Sequence, residues 1–206
     1  MKIRFYLTDV TQLNNAVNEG YSLLTASRRQ RMDQMLDSGG KLRIMGAGLL
    51  LRSVLSLCDD AQLSYGVNGK PFLADGPHFS LSHSGKWCAL AVSDTPVGVD
   101  IEAPREVSDG MYRRCLTNEE FAWCHGNAER FLQLWTRKES IMKACGIGLG
   151  MGLRSISALP GTKTASGGKL WMIETFQMDG CICSVACEND FDLQIQRIPA
   201  VELLRN

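Results

Sequence analysis

The sequence predicts an α+β protein. Short period-two runs recur along the chain, and two long stretches carry apolar residues at helical spacing. Residues 2–7 alternate and read as a strand. Residues 25–36 are charged and helix-compatible, and Asp37-Ser38-Gly39-Gly40 breaks them. Residues 41–57 carry a long apolar stripe and read as a helix, although Gly46 and Gly48 weaken it. Asn68-Gly69 within residues 65–73 marks a hairpin. Residues 79–81, 87–92 and 97–101 are short β-like runs. Thr117 with Glu120 forms a capping box that opens a helix, and a second helix covers residues 127–145 with Gly146 as its stop. Residues 156–159, 169–177, 181–187 and 193–198 again read as strands.

A faint repeat runs through this pattern. Trp87-Cys-Ala-Leu-Ala-Val-Ser-Asp94 is similar to Ile182-Cys-Ser-Val-Ala-Cys-Glu-Asn189, 95 residues on. The match is either chance or the trace of two α+β halves packed face to face. In the second case the cleft between them is the natural ligand site.

Composition narrows the functions. The 206 residues are 45% hydrophobic and 21% charged, which fits a folded chain with its own core. Lys and Arg total 22, as do Asp and Glu, so no overall field draws nucleic acid or an anionic membrane. No apolar run reaches the roughly 18 residues of a spanning helix. The first residues turn polar by Thr8 and Asp9, before a signal-peptide core forms, so the expectation is a cytoplasmic protein. The eight cysteines form no C-x-x-C pair, and the three histidines lie at no zinc-ligand spacing from them. They read as small apolar thiols in a reducing compartment.

Certain residues could carry chemistry. Asp100 and Glu102 alternate with Val99 and Ile101, so on a strand both carboxylates share one face. Two such acids repel unless a cation lies between them, and the competing reading is an exposed strand face. Trp135, Glu139 and Lys143 recur every four residues along one side of a helix. They are either an exposed ion pair or part of a site. Two acids from a strand and one from a helix would make a hard-oxygen site suited to Mg²⁺. Arg28, Arg29, Arg31, Lys41, Arg43 and Arg52 cluster as either a solvated face or an anion-binding patch. Ser82-His83-Ser84-Gly85 puts hydroxyls and an imidazole at a strand end, where phosphate recognition is more economical than a Ser/His nucleophile. The glycine-rich run from Gly146 to Gly152 follows a helix and lacks the Lys-Ser/Thr ending of a P-loop.

Together these motifs resemble the 4′-phosphopantetheinyl transferases of the Sfp type, with two fused halves in one chain. The resemblance rests on Gly69-Lys70-Pro71, Ser82-His83-Ser84-Gly85 with Trp87, Val97-Gly-Val-Asp100-Ile-Glu102, and Trp135-x-x-Lys138-Glu139-Ser140-x-x-Lys143. It implies a pseudo-dimer of two similar α+β halves, residues 1–103 and 104–206. Each is a small antiparallel sheet packed with helices, and the active site lies in the cleft between them. It implies transfer of the phosphopantetheine arm of coenzyme A to a serine of an apo acyl or peptidyl carrier protein, by a monomer. Asp100, Glu102 and Glu139 then hold Mg²⁺ or Mn²⁺, and Lys143 contacts the phosphate at the breaking bond. Lys70, Ser82 and His83 contact coenzyme A. Arg28, Arg31 and Arg43 serve its 3′-phosphate and adenine end, while Glu120 deprotonates the serine. Pro104 to Phe121, with Met111, Tyr112, Leu116, Arg113 and Arg114, is the expected docking segment for the carrier protein. A Mg²⁺-dependent nuclease, another phosphate-transfer enzyme and a non-catalytic carrier-binding module are the alternatives. Ala103-Pro104 after Glu102 and the neutral charge speak against a nuclease.

Overall fold

The computed structural model describes residues 1–146, 152–161 and 163–205. Most of the glycine-rich run from Gly146 to Gly152 lies outside the described residues. Ten strands and six α-helices alternate in the described residues: β1 Lys2–Asp9, α1 Val17–Ser22, α2 Ala26–Gln34, α3 Ser38–Leu55, β2 Leu63–Tyr65, β3 Pro71–Leu73, β4 His78–Ser84, β5 Trp87–Ser93, β6 Val97–Glu102, α4 Asp109–Cys115, α5 Asn118–Cys124, α6 Ala128–Cys145, β7 Thr164–Ser166, β8 Lys169–Met178, β9 Cys181–Cys187 and β10 Asp192–Arg197. One four-stranded sheet has the order β10-β1-β5-β4 and the other β6-β9-β8-β7, with β2 and β3 as a separate hairpin.

A strand, a long helix and an antiparallel hairpin follow one another twice. The first set is β1, α3 and β4–β5; the second is β6, α6 and β8–β9. The repeated segments 87–94 and 182–189 fall on β5 and β9, which lie inside their sheets. Strands β1 and β6 begin at Lys2 and Val97, 95 residues apart. The long helices α3 and α6 each have 18 residues.

Sheet membership does not divide the chain at residue 103. Strand β6 belongs to the second sheet, and β10 returns from the C-terminal end to pair with β1. That pairing is parallel, whereas β1 with β5 and β4 with β5 are antiparallel, so the first sheet is mixed. Residues 156–159, expected as a strand, form none, and only a short 3₁₀ turn, Leu153–Ser155, precedes them.

The core follows from the alternation. Ile3, Phe5 and Leu7 of β1 pack against Val97, Val99 and Ile101 of β6 and against Cys183 and Val185 of β9, which puts apolar side chains between the two sheets. On the other face of β1 and β5, Leu49 and Leu50 of α3 are buried with Leu90. All eight cysteines are free thiols, and six of them are buried. Burial pushes the Cys88 and Cys183 thiols up to about 12, which keeps them protonated and apolar. No helix of the described residues is long and apolar enough to cross a membrane.

Candidate active site

Three elements meet at the site. Strand β6 carries Asp100 and Glu102, α6 carries Glu139 and Lys143, and β4 carries Ser82 and His83. Helix α6 starts on an Asn127 cap, whose side chain accepts from the Arg130 N–H, and stops at Gly146 in the left-handed region at φ 68°. Its approach to β6 depends on Gly98. A Cβ there would stand 1.8 Å from the Ser140 carbonyl oxygen and 2.5 Å from the Ala144 nitrogen. The missing side chain lets the helix backbone lie on the strand, and Glu139 and Lys143 come within reach of the β6 acids.

The acids are held apart rather than as one cluster. Asp100 is buried; its Oδ1 accepts from Lys143 Nζ at 2.6 Å and from Ser82 Oγ at 2.7 Å. Lys143 Nζ also donates to Ser82 Oγ at 3.0 Å. Glu102 accepts from Ser84 at 2.8 Å and from Arg105 at 3.4 Å. The Arg105 guanidinium in turn lies 5.9 Å from the Trp135 ring centre. Burial raises the Asp100 pKa even against the Lys143 charge. Burial also raises that of Glu139, and the Asp100 carboxylate adds to it.

Two oxygens suit a cation. Asp100 Oδ2 and Glu139 Oε1 are buried and without a hydrogen-bond partner. Such orphans are costly, and a hard divalent ion with oxygen ligands would satisfy both. Among the described residues no three acids already converge closely enough to enclose an ion. The donor set fits such an ion, and Glu102, bonded to Ser84 and Arg105, lines the same cavity.

These side chains line a cavity of about 560 Å³. Arg28, Arg31, Arg43 and His83 line it too, beside Ile44 and Ala47. Among the described residues neither Arg28 nor Arg31 has a hydrogen-bond or ion-pair partner. Burial and the neighbouring Arg31 lower the Arg28 pKa. Arg43 donates to the Gly85 carbonyl at 3.1 Å and to Asp37 at 3.2 Å. Partial enclosure and the Arg43 charge hold the His83 imidazole below its usual value. An adjoining apolar cavity of about 250 Å³ contains Lys70 and shares Pro71, Leu81, Glu139 and Lys143 with the first. The Lys70 ammonium donates to the Val97 carbonyl at 3.1 Å, and burial takes its pKa down to about 8.

Glu120 does not belong to this cleft, which corrects its expected role as the base. Its carboxylate is fully buried and ion-paired with the equally buried Lys138. It also accepts from the Thr117 and Ala158 N–H groups, each at 2.8 Å. Lys138 adds bonds to the Cys115 and Leu153 carbonyls at 2.7 and 3.0 Å. Every polar atom of the pair is engaged, so it ties α4, α5 and α6 together and has no face toward a substrate. The capping box expected at Thr117 is present. The expected docking segment is also revised. Tyr112 and Leu116 are buried, with Tyr112 against Phe131 at 4.9 Å between rings. Arg113, Arg114 and Phe121 are among the exposed residues there.

Sequence reasoning missed the role of Ser80 and Ser84. Their signal was the period-two serine pattern Ser80-x-Ser82-x-Ser84, which puts three hydroxyls on one strand face.

Comparison with known proteins agrees with this architecture. Residues 96–182 match the family model of the 4′-phosphopantetheinyl transferase superfamily. The chain is 30% identical over 158 residues to the 4′-phosphopantetheinyl transferase Sfp of Bacillus subtilis (strain 168), covering 70% of each protein. It is 38% identical over 86 residues to the 4′-phosphopantetheinyl transferase gsp of Aneurinibacillus migulanus, 39% of this chain and 36% of that one. Against psf-1 of Bacillus pumilus the identity is 40% over 98 residues, 44% and 42% of the two chains. The chain belongs to the 4′-phosphopantetheinyl transferase superfamily. It spans between 36% and 70% of the lengths of these relatives.

Proposed function

We propose that this protein transfers the 4′-phosphopantetheine arm of coenzyme A to a serine of an apo carrier protein, releasing 3′,5′-ADP. The observation that carries this reading is the make-up of the 560 Å³ cleft. Asp100, Glu102, Glu139 and Lys143 line the same cavity as Arg28, Arg31, Arg43 and His83. Coenzyme A carries two anionic groups to match, a pyrophosphate and a 3′-phosphate.

In this reading Arg28, Arg31, Arg43 and His83 bind the 3′-phosphate by charge-assisted hydrogen bonds. Lys70 and Ser82 orient the nucleotide. Asp100, Glu102 and Glu139 would hold Mg²⁺ or Mn²⁺, which when bound neutralises charge on the pyrophosphate oxygens. Lys143 donates to the phosphate that is attacked and stabilises the charge that builds there. With Glu120 paired to Lys138, the cleft carboxylates are the groups left to take the serine proton. The leaving group is itself a phosphate, so it departs without a strong general acid. The fold suits a monomer, because both halves of the cleft come from one chain. Incubation with coenzyme A, Mg²⁺ and an apo carrier protein tests the reading, and the carrier protein should gain one phosphopantetheine group by mass.

A further inference from the structure

Strands β4 and β6 are the facing edges of two different sheets. No main-chain ladder joins them; three serines do. Ser80 Oγ accepts from the Val99 N–H at 3.1 Å, Ser82 Oγ from Ile101 at 3.3 Å and Ser84 Oγ from Ala103 at 3.0 Å. Each hydroxyl uses a lone pair on a backbone N–H of β6 or of Ala103 just after it, which leaves its proton to give. Ser82 gives it to Asp100 and Ser84 to Glu102, at 2.7 and 2.8 Å. Ser80, one step earlier in the same pattern, stands opposite Gly98 and has no carboxylate to meet.

We propose that Ser84 is a positioning residue: its hydroxyl, anchored on the Ala103 N–H, fixes the Glu102 carboxylate in the orientation from which it serves the cleft. This rests on the metal-binding reading of Asp100, Glu102 and Glu139 given above. The geometry supplies its own control. Ser80 and Ser84 stitch the same two strands, and only Ser84 touches an acid. An outer hydrogen-bond partner of a metal ligand contributes about 10- to 100-fold in metal affinity.

The test titrates the full chain with Mn²⁺ in the presence of saturating coenzyme A, followed by electron paramagnetic resonance, with the melting temperature recorded alongside. Ser84→Ala should weaken Mn²⁺ binding about tenfold or more. Ser84→Thr, which keeps the hydroxyl, should restore it. Ser80→Ala should lower the melting temperature and leave Mn²⁺ affinity at the wild-type value. Should Ser84→Ala fail to fold, Ser84→Cys, which keeps the volume but donates weakly, takes its place with the same expected loss. Wild-type Mn²⁺ affinity in Ser84→Ala, with a melting loss like that of Ser80→Ala, would reduce Ser84 to stitching and overturn the proposal. Failure of the wild type itself to bind Mn²⁺ would overturn the metal reading first, and this inference with it.

Discussion

Lys143 Nζ lies 2.6 Å from Asp100 Oδ1, and this bond joins the long C-terminal helix to the edge strand of the second sheet across 43 residues of sequence. The pair brings a cation to the one buried acid of β6, whose other oxygen is left without a partner. An anionic ligand that drew Lys143 away would leave Asp100 in need of another cation, so ligand and metal should bind cooperatively in this account.

The bond depends on how closely α6 lies on β6, which gives the first prediction. In Gly98→Ala the new methyl meets helix backbone at 1.8 Å, and backbone cannot rotate away as a side chain can. Stability should fall by about 1–3 kcal/mol or more, as overpacking does. Turnover should fall further than the melting temperature alone explains, because Glu139 and Lys143 move off the β6 acids. Denaturant unfolding together with turnover at low temperature checks both parts. A variant with unchanged stability and turnover would mean that the helix has room to spare.

Glu139→Gln separates stability from activity. The carboxylate is destabilised in the apo protein by burial and by Asp100. Removing its charge should therefore leave the melting temperature unchanged or higher, while turnover falls by on the order of 100-fold. A matched loss of both would show that Glu139 holds the fold together instead.

Much of this site can be read from the chain before folding. Asp100 and Glu102 announce a shared face because Val99 and Ile101 between them are apolar, and those two are buried between the sheets. Glu139 and Lys143 follow from one helical turn. What the sequence hides is long-range. The capping box at Thr117 looks the same whether Glu120 is solvated or buried, and its burial is decided by Lys138, on another helix. Tyr112 and Leu116 could line a docking face or a core, and Phe131 settles that for Tyr112. The parallel return of β10 to β1 joins the two ends of the chain, and no local pattern encodes it. The serine pattern was visible, but its meaning depends on a strand edge about 19 residues away.

Arg28 carries the prediction for ligand choice. It has no hydrogen-bond or ion-pair partner among the described residues and lines the cleft with Arg31, Arg43 and His83. Arg28→Ala should weaken coenzyme A by about tenfold to a hundredfold, the loss of one charge-assisted bond of roughly 1.5–3 kcal/mol. It should hardly change the affinity for 3′-dephospho-coenzyme A. Calorimetric titration with both ligands checks this. Equal losses for the two would remove the 3′-phosphate from Arg28.

Lys70 predicts a pH dependence. Burial lowers its pKa from 10.5 to about 8 in the folded protein. Between those values the unfolded chain holds the proton more tightly, so stability contributed at this residue rises with pH across that window and is least below about 8. The stability difference between Lys70→Met and the wild type should therefore shift in favour of the wild type from about pH 7 to about pH 10. A difference that stays constant over this range would mean that the ammonium is effectively solvated.

The most direct test is mass spectrometry of an apo carrier protein incubated with coenzyme A, Mg²⁺ and either the wild-type chain or Lys143→Ala. The wild type should add one phosphopantetheine group to one serine. It should release 3′,5′-ADP in equal amount, and Lys143→Ala should transfer slower by on the order of 100-fold or more. No mass gain across acyl and peptidyl carrier proteins, or equal transfer by Lys143→Ala, would contradict the proposed transfer.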